Sequence, residues 1–268
     1  MSGEISEFHS TMTPLLRVYK CSEEVLVSIR SISPLPMKKI KPIPFRHRPR
    51  GLAIIYEDQD IIVVNKSCGL LTVEANYEKV KTAHCILTNY IRKGSLKSRK
   101  QLFPVHRLDR DTSGVLVFAK NFDASETLKA QWKDVRNRYI AMVHGILKEK
   151  GGTITSYLTE KEKHEVYSVN DNRKGDLAKT RYKVVGETRV YSLIEIELLT
   201  SRKNQIRVHL SEKGHPLVGD IKYGKKDGPK GRLALHSQFL TFKHPRTCKD
   251  VTFQAEVPFF FKRHFKNA

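Results

Sequence analysis

Two β-branched runs, Leu52-Ala53-Ile54-Ile55-Tyr56 and Ile61-Ile62-Val63-Val64-Asn65, are split by the charged Glu57-Asp58-Gln59-Asp60 and predict a hairpin. Lys66-Ser67-Cys68-Gly69 then turns the chain before Leu70-Leu71-Thr72-Val73, and helical apolar spacing follows over residues 82–91. Residues 94–100 read as a basic loop and 115–119 as an apolar strand. Next comes a helix with Asp123 as its cap, Glu126 in capping-box position, and Leu128 and Trp132 four apart on its buried face. Residues 138–145 alternate as a strand, and 151–175 weaken into one strand plus a mobile loop. Strands return at 181–185 and 191–199, where Ile194, Ile196 and Leu198 face one way and Glu195 and Glu197 the other. Asn204 is placed to cap a short helix carrying the Ile206/Leu210 pair, and Gly214 before His215-Pro216 stops it. Alternation resumes at 233–242 and 251–257, with a turn at His244-Pro245-Arg246-Thr247.

Strands dominate, and short turns join most of them. This pattern predicts an α+β fold around a central mixed, mainly antiparallel sheet flanked by helices and loops, rather than a doubly wound one. The globular domain is expected over 51–268. Residues 1–50 differ: prolines recur from Pro14 to Pro49, and 38–50 hold six Lys/Arg and no acid. Such a segment resists both helix and ladder, so it reads as an extended basic arm, with one strand at 24–29 as its regular element. The arm either lies along an RNA backbone or serves as a charged linker.

Charge narrows the partners. The 268 residues hold 49 Lys+Arg against 28 Asp+Glu, a net charge of +21. A sum of that size draws in polyanions at range, and nucleic acid is the expected one. An anionic membrane surface is the lesser rival, because no long basic amphipathic helix is visible. Cys21, Cys68, Cys85 and Cys248 are scattered without metal-ligand spacing, which favours a reducing compartment and no structural metal. No apolar run matches a membrane span and the first residues lack a signal-peptide pattern, so a soluble cytoplasmic protein is expected.

Phosphate loops, dinucleotide fingerprints, nucleophile elbows and zinc-protease motifs are missing. What remains is His106-Arg107-Leu108-Asp109-Arg110-Asp111-Thr112-Ser113-Gly114, a charged lead-in to an apolar strand. Arg107 and Arg110 flank Asp109 and should keep it ionised, fit to act as nucleophile or general base. Taken alone, the same residues fit a structural salt-bridge loop. Asp111 reads as a turn residue, with Gly114 relieving the backbone.

The nonapeptide, followed by its strand, resembles the catalytic signature of the RluA-type RNA pseudouridine synthases. Three further elements fit that family in order: Asn65-Lys66-Ser67-Cys68-Gly69-Leu70-Leu71; the strand from Tyr139 to Gly145; and Gln205-Ile206-Arg207-Val208-His209-Leu210, with Gly214-His215-Pro216 and Gly219-Asp220 behind it. The resemblance covers roughly 51–257. It implies isomerisation of uridine to pseudouridine in ribosomal or transfer RNA, by a monomer, without metal, nucleotide or organic cofactor. Asp109 would be the essential carboxylate, attacking the ribose C1′ or helping to remove a ribose proton. Tyr139 would stack on the uracil and assist loss of the C5 proton, and Arg207 would pair with Asp109. Arg107 would fill the stack vacated by a flipped nucleotide. His106, Arg110, Arg202 and Lys203 are the remaining expected RNA contacts, although His106 and His209 also read as structural. Arg207 could equally face solvent, and Tyr139 could be an ordinary strand aromatic. A non-catalytic RNA-binding or RNA-folding protein on the same scaffold is the alternative.

Overall fold

The structure, a computed structural model, describes residues 49–75, 81–95, 97–161, 165–224 and 231–265. The basic arm expected over 1–50, with its strand at 24–29, lies outside the described residues except for Pro49 and Arg50. The described elements are β1 (Leu52–Glu57), β2 (Ile61–Lys66), α1 (Ala83–Ile91), β3 (Phe103–Pro104), β4 (Ser113–Ala119), α2 (Phe122–Ala130), β5 (Arg136–His144), β6 (Gly151–Glu160), β7 (Val166–Val169), β8 (Asp176–Glu187), β9 (Tyr191–Leu198), α3 (Gln205–Glu212), β10 (Leu235–Lys243), β11 (Asp250–Gln254) and α4 (Phe259–Phe265).

One sheet unites the strands in the order β1-β2-β4-β10-β5-β9-β8-β6-β7, with β11 added to β10 and β3 to β4. The β4–β10 pair is parallel and the other pairs are antiparallel, so the mixed, mainly antiparallel α+β expectation holds. The middle of the sheet is covered on both faces. From β2 and β4, Ile62, Val64, Leu116 and Phe118 join one core with Leu87 of α1 and Ile206 and Leu210 of α3. Ile61, Val63, Val115 and Val117 enter a second core with Ala124 and Leu128 of α2 and Phe253 of β11. Double coverage explains why these strands are continuous apolar runs rather than alternating ones. Each of these buried Val, Ile, Leu and Phe side chains contributes about 2 kcal/mol on leaving water. That burial makes β2 and β4 a rigid base for the polar loops at their ends.

Several expected details change. The cap of α2 is Asn121, whose Oδ1 accepts from the Ala124 amide at 2.9 Å, while Asp123 lies inside the first turn. The helix ends at Ala130, so Trp132 falls in a following 3₁₀ turn rather than on the helix face. Where one strand and a mobile loop were expected, β6 and β7 form a paired hairpin, with β8 on the other side of β6. Asn204 precedes α3 in a left-handed conformation (φ 54°) and makes no capping bond with its side chain. The stop at Gly214 is as expected: at φ +83° it closes a Schellman turn, with amides of Gly214 and His215 donating to Ser211 and Leu210 carbonyls. The helix α4, unforeseen from the sequence, seals Ile140 and Met142 of β5 with Phe261. No helix among the described residues is long and apolar enough to cross a membrane.

Candidate active site

The sequence element after β2 and the nonapeptide before β4 are one physical unit. Thr72 Oγ1 donates to the Leu108 carbonyl (2.7 Å) and accepts from the Leu108 amide (3.1 Å). The Gly69 amide donates to the Arg110 carbonyl (2.9 Å). Lys66, fully buried at the end of β2, donates to the carbonyls of Ser67, Leu70 and Arg110. Burial depresses its ammonium pKa to about 8, against the pull of Cys68, Asp109 and Asp111. This lysine, unassigned in the sequence reading, ties the nonapeptide to the sheet.

At the other end of the nonapeptide, Gly114 lies against β10 with φ +120°. A Cβ there would fall 2.0 Å from the Ser237 carbonyl oxygen. The loop can therefore join β10 in parallel only with glycine at this position.

Asp109 sits between these anchors with its side chain 27 % exposed. Burial pushes its carboxyl pKa up; Arg207, Arg107 and Lys66 pull it down less, and Asp220 adds to the rise. Of the two flanking arginines, both exposed, Arg107 is among the groups that pull it down. Arg110 reaches back to the Gly69 carbonyl instead, at 3.3 Å.

Arg207, on α3, faces inward rather than to solvent, and it does approach Asp109, with Nη1 3.8 Å from Oδ2. Its close partner is Asp220, which accepts from Nε and Nη2 at 2.8 Å each. Asn204 Oδ1 accepts from Nη1 at 3.2 Å, and the guanidinium lies 5.1 Å over the Tyr223 ring. Asp220 Oδ1 also accepts from the Lys222 and Tyr223 amides, both at 2.9 Å, so one buried carboxylate fixes both its own turn and the arginine. The Gly219-Asp220 pair was visible in the sequence, but its contact with Arg207 was not.

Tyr139 is 6 % exposed, and its hydroxyl accepts from Asn137 Nδ2 at 2.9 Å. Burial and the Asp109 charge push the phenol pKa up, so it stays protonated. The phenol thus feels the Asp109 charge, and Asp109 in turn lies 3.8 Å from Arg207.

His106 does not join them. Its Nε2 accepts from the Val117 amide at 3.1 Å, taking over a ladder bond where β3 ends, and its ring stacks on Trp132 at 4.6 Å. Burial lowers its pKa to about 3. These contacts give His106 a structural position beside β4. His209 is likewise buried, held at 2.9 Å by both Ser156 and Thr180. Arg202 pairs with Asp176 (3.4 Å) and Lys203 with Glu160, across to β8 and β6. They do not converge on the α3 entrance, where Gln205 Oε1 accepts from the Arg202 amide (3.0 Å) and from Thr200 Oγ1 (2.9 Å).

Residues 60–212 match the model of the RNA pseudouridylate synthase family. A Bacillus subtilis relative, described as the uncharacterized RNA pseudouridine synthase YlyB, is 38% identical over 223 residues, covering 78% of this chain and 70% of the relative. Ribosomal large subunit pseudouridine synthase D of Neisseria meningitidis is 34% identical over 236 residues, covering 81% of this chain and 61% of its own. The solved human RNA pseudouridylate synthase domain containing 1 superposes with a TM-score of 0.63 at 26% identity, covering 82% of this chain and 87% of that one. With a matching fold, family model and full-domain relatives, the chain belongs to the RNA pseudouridine synthases, isomerases that act on RNA.

Proposed function

We propose that Asp109 is the carboxylate that starts uridine isomerisation in this chain, on a ribosomal or transfer RNA. The observation that carries this reading is its position: a partly exposed carboxylate 3.8 Å from an arginine that Asp220 holds in place. A carboxyl pushed up by burial is a better nucleophile and base than a free one. It either bonds to ribose C1′ or removes a ribose proton. In both routes the N1–C1′ bond breaks, the uracil turns, and a C5–C1′ bond forms; in the first route this displaces the carboxylate from C1′, and in the second the ribose proton is returned. The C5 proton is lost and N1 is reprotonated, so product and substrate are isomers.

Tyr139 supplies a packing face for the turning uracil, and its protonated phenol leaves the C5 proton to another acceptor. Arg207 keeps the carboxylate oriented. Arg107, exposed beside Asp109, fills the stack left by the flipped nucleotide. Arg110, Arg202 and Lys203 engage phosphates; the last two exchange exposed ion pairs, each worth about 1 kcal/mol or less, for the RNA backbone. One chain carries Asp109, Tyr139 and Arg207 together, which suits a monomer, and the substrate suits a cytoplasmic enzyme. The name of the Neisseria relative favours ribosomal RNA as the first substrate to try.

The test is incubation with unmodified ribosomal and transfer RNA, followed by adduct formation and mapping of reverse-transcription stops. Stops should appear with the wild-type chain and vanish with Asp109→Ala. Activity undiminished in that variant would remove Asp109 from the mechanism. Arg107→Ala should lower turnover more than non-specific binding, and equal losses would refute the stacking role.

A further inference from the structure

A cleft of about 570 Å³ opens between the β1–β2 end of the sheet and the start of α4, lined by Leu52, Asn65, Ser113, Arg232, Pro258 and Phe259 among others. It lies beside the nonapeptide, since Ser113 belongs to both, but it contains none of Asp109, Tyr139 and Arg207. Its wall carries a guanidinium in an unusual state. Among the described residues, Arg232 has one hydrogen-bond partner, the hydroxyl of Ser113, and no ion-pair partner. Its Nε is buried and unbonded. Ser113 is held in turn by His236 Nδ1 at 2.8 Å, so the one partner Arg232 has is fixed in place. Burial lowers the Arg232 pKa, the mark of a cation without a matching anion.

A half-buried guanidinium keeps five donors and no acceptor, and leaving most of them unused is costly. The group that satisfies them best is a planar or tetrahedral oxyanion, which accepts two parallel N–H bonds. The cleft also has an apolar lining. Phe259 is 64 % exposed there, beside Val257 and Pro258. Glu256 also lines the cleft, but its carboxylate turns to Lys262 at 3.2 Å. A cation and an exposed aromatic in the same cleft match a phosphate joined to a planar ring.

We propose that this cleft is a second nucleotide subsite, taking one unpaired RNA nucleotide with its phosphate on Arg232 and its base on Phe259. The inference rests on RNA being the substrate, and it adds a contact separate from the reacting uridine. A nucleotide seated here anchors the strand beside the nonapeptide but away from Asp109, Tyr139 and Arg207, so it selects substrates by an unpaired base at a set offset from the target.

The full-length chain is titrated with unmodified ribosomal and transfer RNA over a salt series, with melting temperature measured for each variant. Phe259→Ala should weaken binding about tenfold while leaving the salt slope alone, as expected for loss of one stacked base. Arg232→Gln should lower affinity and flatten the slope by roughly one counterion, and Arg232→Lys should restore the slope. RNA carrying 4-thiouridine should cross-link to the peptide containing Phe259. Wild-type affinity in Phe259→Ala overturns the subsite, and that is also the outcome if the cleft is filled by the chain's own N-terminal residues. A wild-type slope in Arg232→Gln, or cross-links confined to peptides near Asp109, overturns it too. If Arg232→Gln melts early, Phe259→Ala and Arg232→Lys decide. Wild-type RNA that binds with this dependence yet gains no pseudouridine would leave the subsite standing and sink the catalytic reading instead.

Discussion

The Arg207 guanidinium donates two 2.8 Å hydrogen bonds to Asp220, whose side chain is 1 % exposed. Its approach to Asp109 is longer, at 3.8 Å. One arginine therefore serves two carboxylates: Asp220 anchors it, and the remaining nitrogen, bonded to Asn204, approaches the partly exposed Asp109. A bidentate pair sets direction as well as charge.

Asp220→Ala leaves that cation half-buried and unanchored. Breaking a buried ion pair in this way costs about 3 kcal/mol or more. Denaturant unfolding should show that loss, and turnover should fall at least tenfold with a smaller change in RNA affinity. Wild-type turnover in a folded Asp220→Ala protein would show that Asp109 does not depend on Arg207's placement.

The Asp109 carboxyl is pushed up from the usual carboxylate range by burial. The active form is the carboxylate, so the acid limb of kcat/KM should fall at a pH above that of a free aspartate. The stability sign is the reverse of a salt-bridged aspartate: the native state binds this proton more tightly than the unfolded chain. Stability from this group is therefore present below its unfolded pKa and is lost as pH rises through the folded pKa. Asp109→Asn should abolish isomerisation while melting no lower than wild type at neutral pH. A clear drop in melting temperature would mean that Asp109 is chiefly a structural ion-pair partner.

Lys66 has its pKa lowered to about 8 by burial. The unfolded chain holds this proton up to about pH 10.4, so unfolding takes up a proton between those limits and stability from this group rises with pH. Lys66→Met removes the titration. The melting-temperature gap between wild type and variant should widen in favour of wild type from about pH 8 to about pH 10. A gap that stays constant, or narrows, would mean that Lys66 is not held against its charge. At any pH the variant also leaves the Ser67, Leu70 and Arg110 carbonyls without this donor, so it should melt below wild type.

Gly114→Ala meets the Ser237 carbonyl at a distance no real Cβ tolerates, in a backbone region that disfavours side chains. The β4–β10 junction must shift, with a loss of about 3 kcal/mol or more and of activity with it. Gly69→Ala, where nothing lies within 4 Å of the added carbon, bears only the cost of its φ of +84° and should lose less. Equal stability losses in the two variants would show that the close approach to Ser237 is not what demands glycine at position 114.

Much of the molecule was legible beforehand. Continuous apolar runs at Ile61–Val64 and Val115–Phe118 announce strands covered on both faces, because such residues have no other way to leave water. Asp109, Tyr139 and Arg207 were legible as a set only through the resemblance of their motifs to a family, and the fold does place Arg207 3.8 Å from Asp109. Capping was less legible. Asn121 and Asp123 are both good caps two residues apart, and the end of β4 at Ala119, not side-chain chemistry, selects the first.

What the chain order by itself determined was which strands form and which polar residues stand at their ends, since alternation and burial are local properties of the sequence. The partners of those polar groups were decided by tertiary structure. Arg107 and Arg110 adjoin Asp109 in sequence yet remain in water, while Arg207 and Asp220 arrive from a helix and a turn far along the chain. Coulomb forces act through space, so the charges that set this carboxylate are those of its chain neighbour Arg107 together with Arg207, Lys66 and Asp220, which only folding delivers.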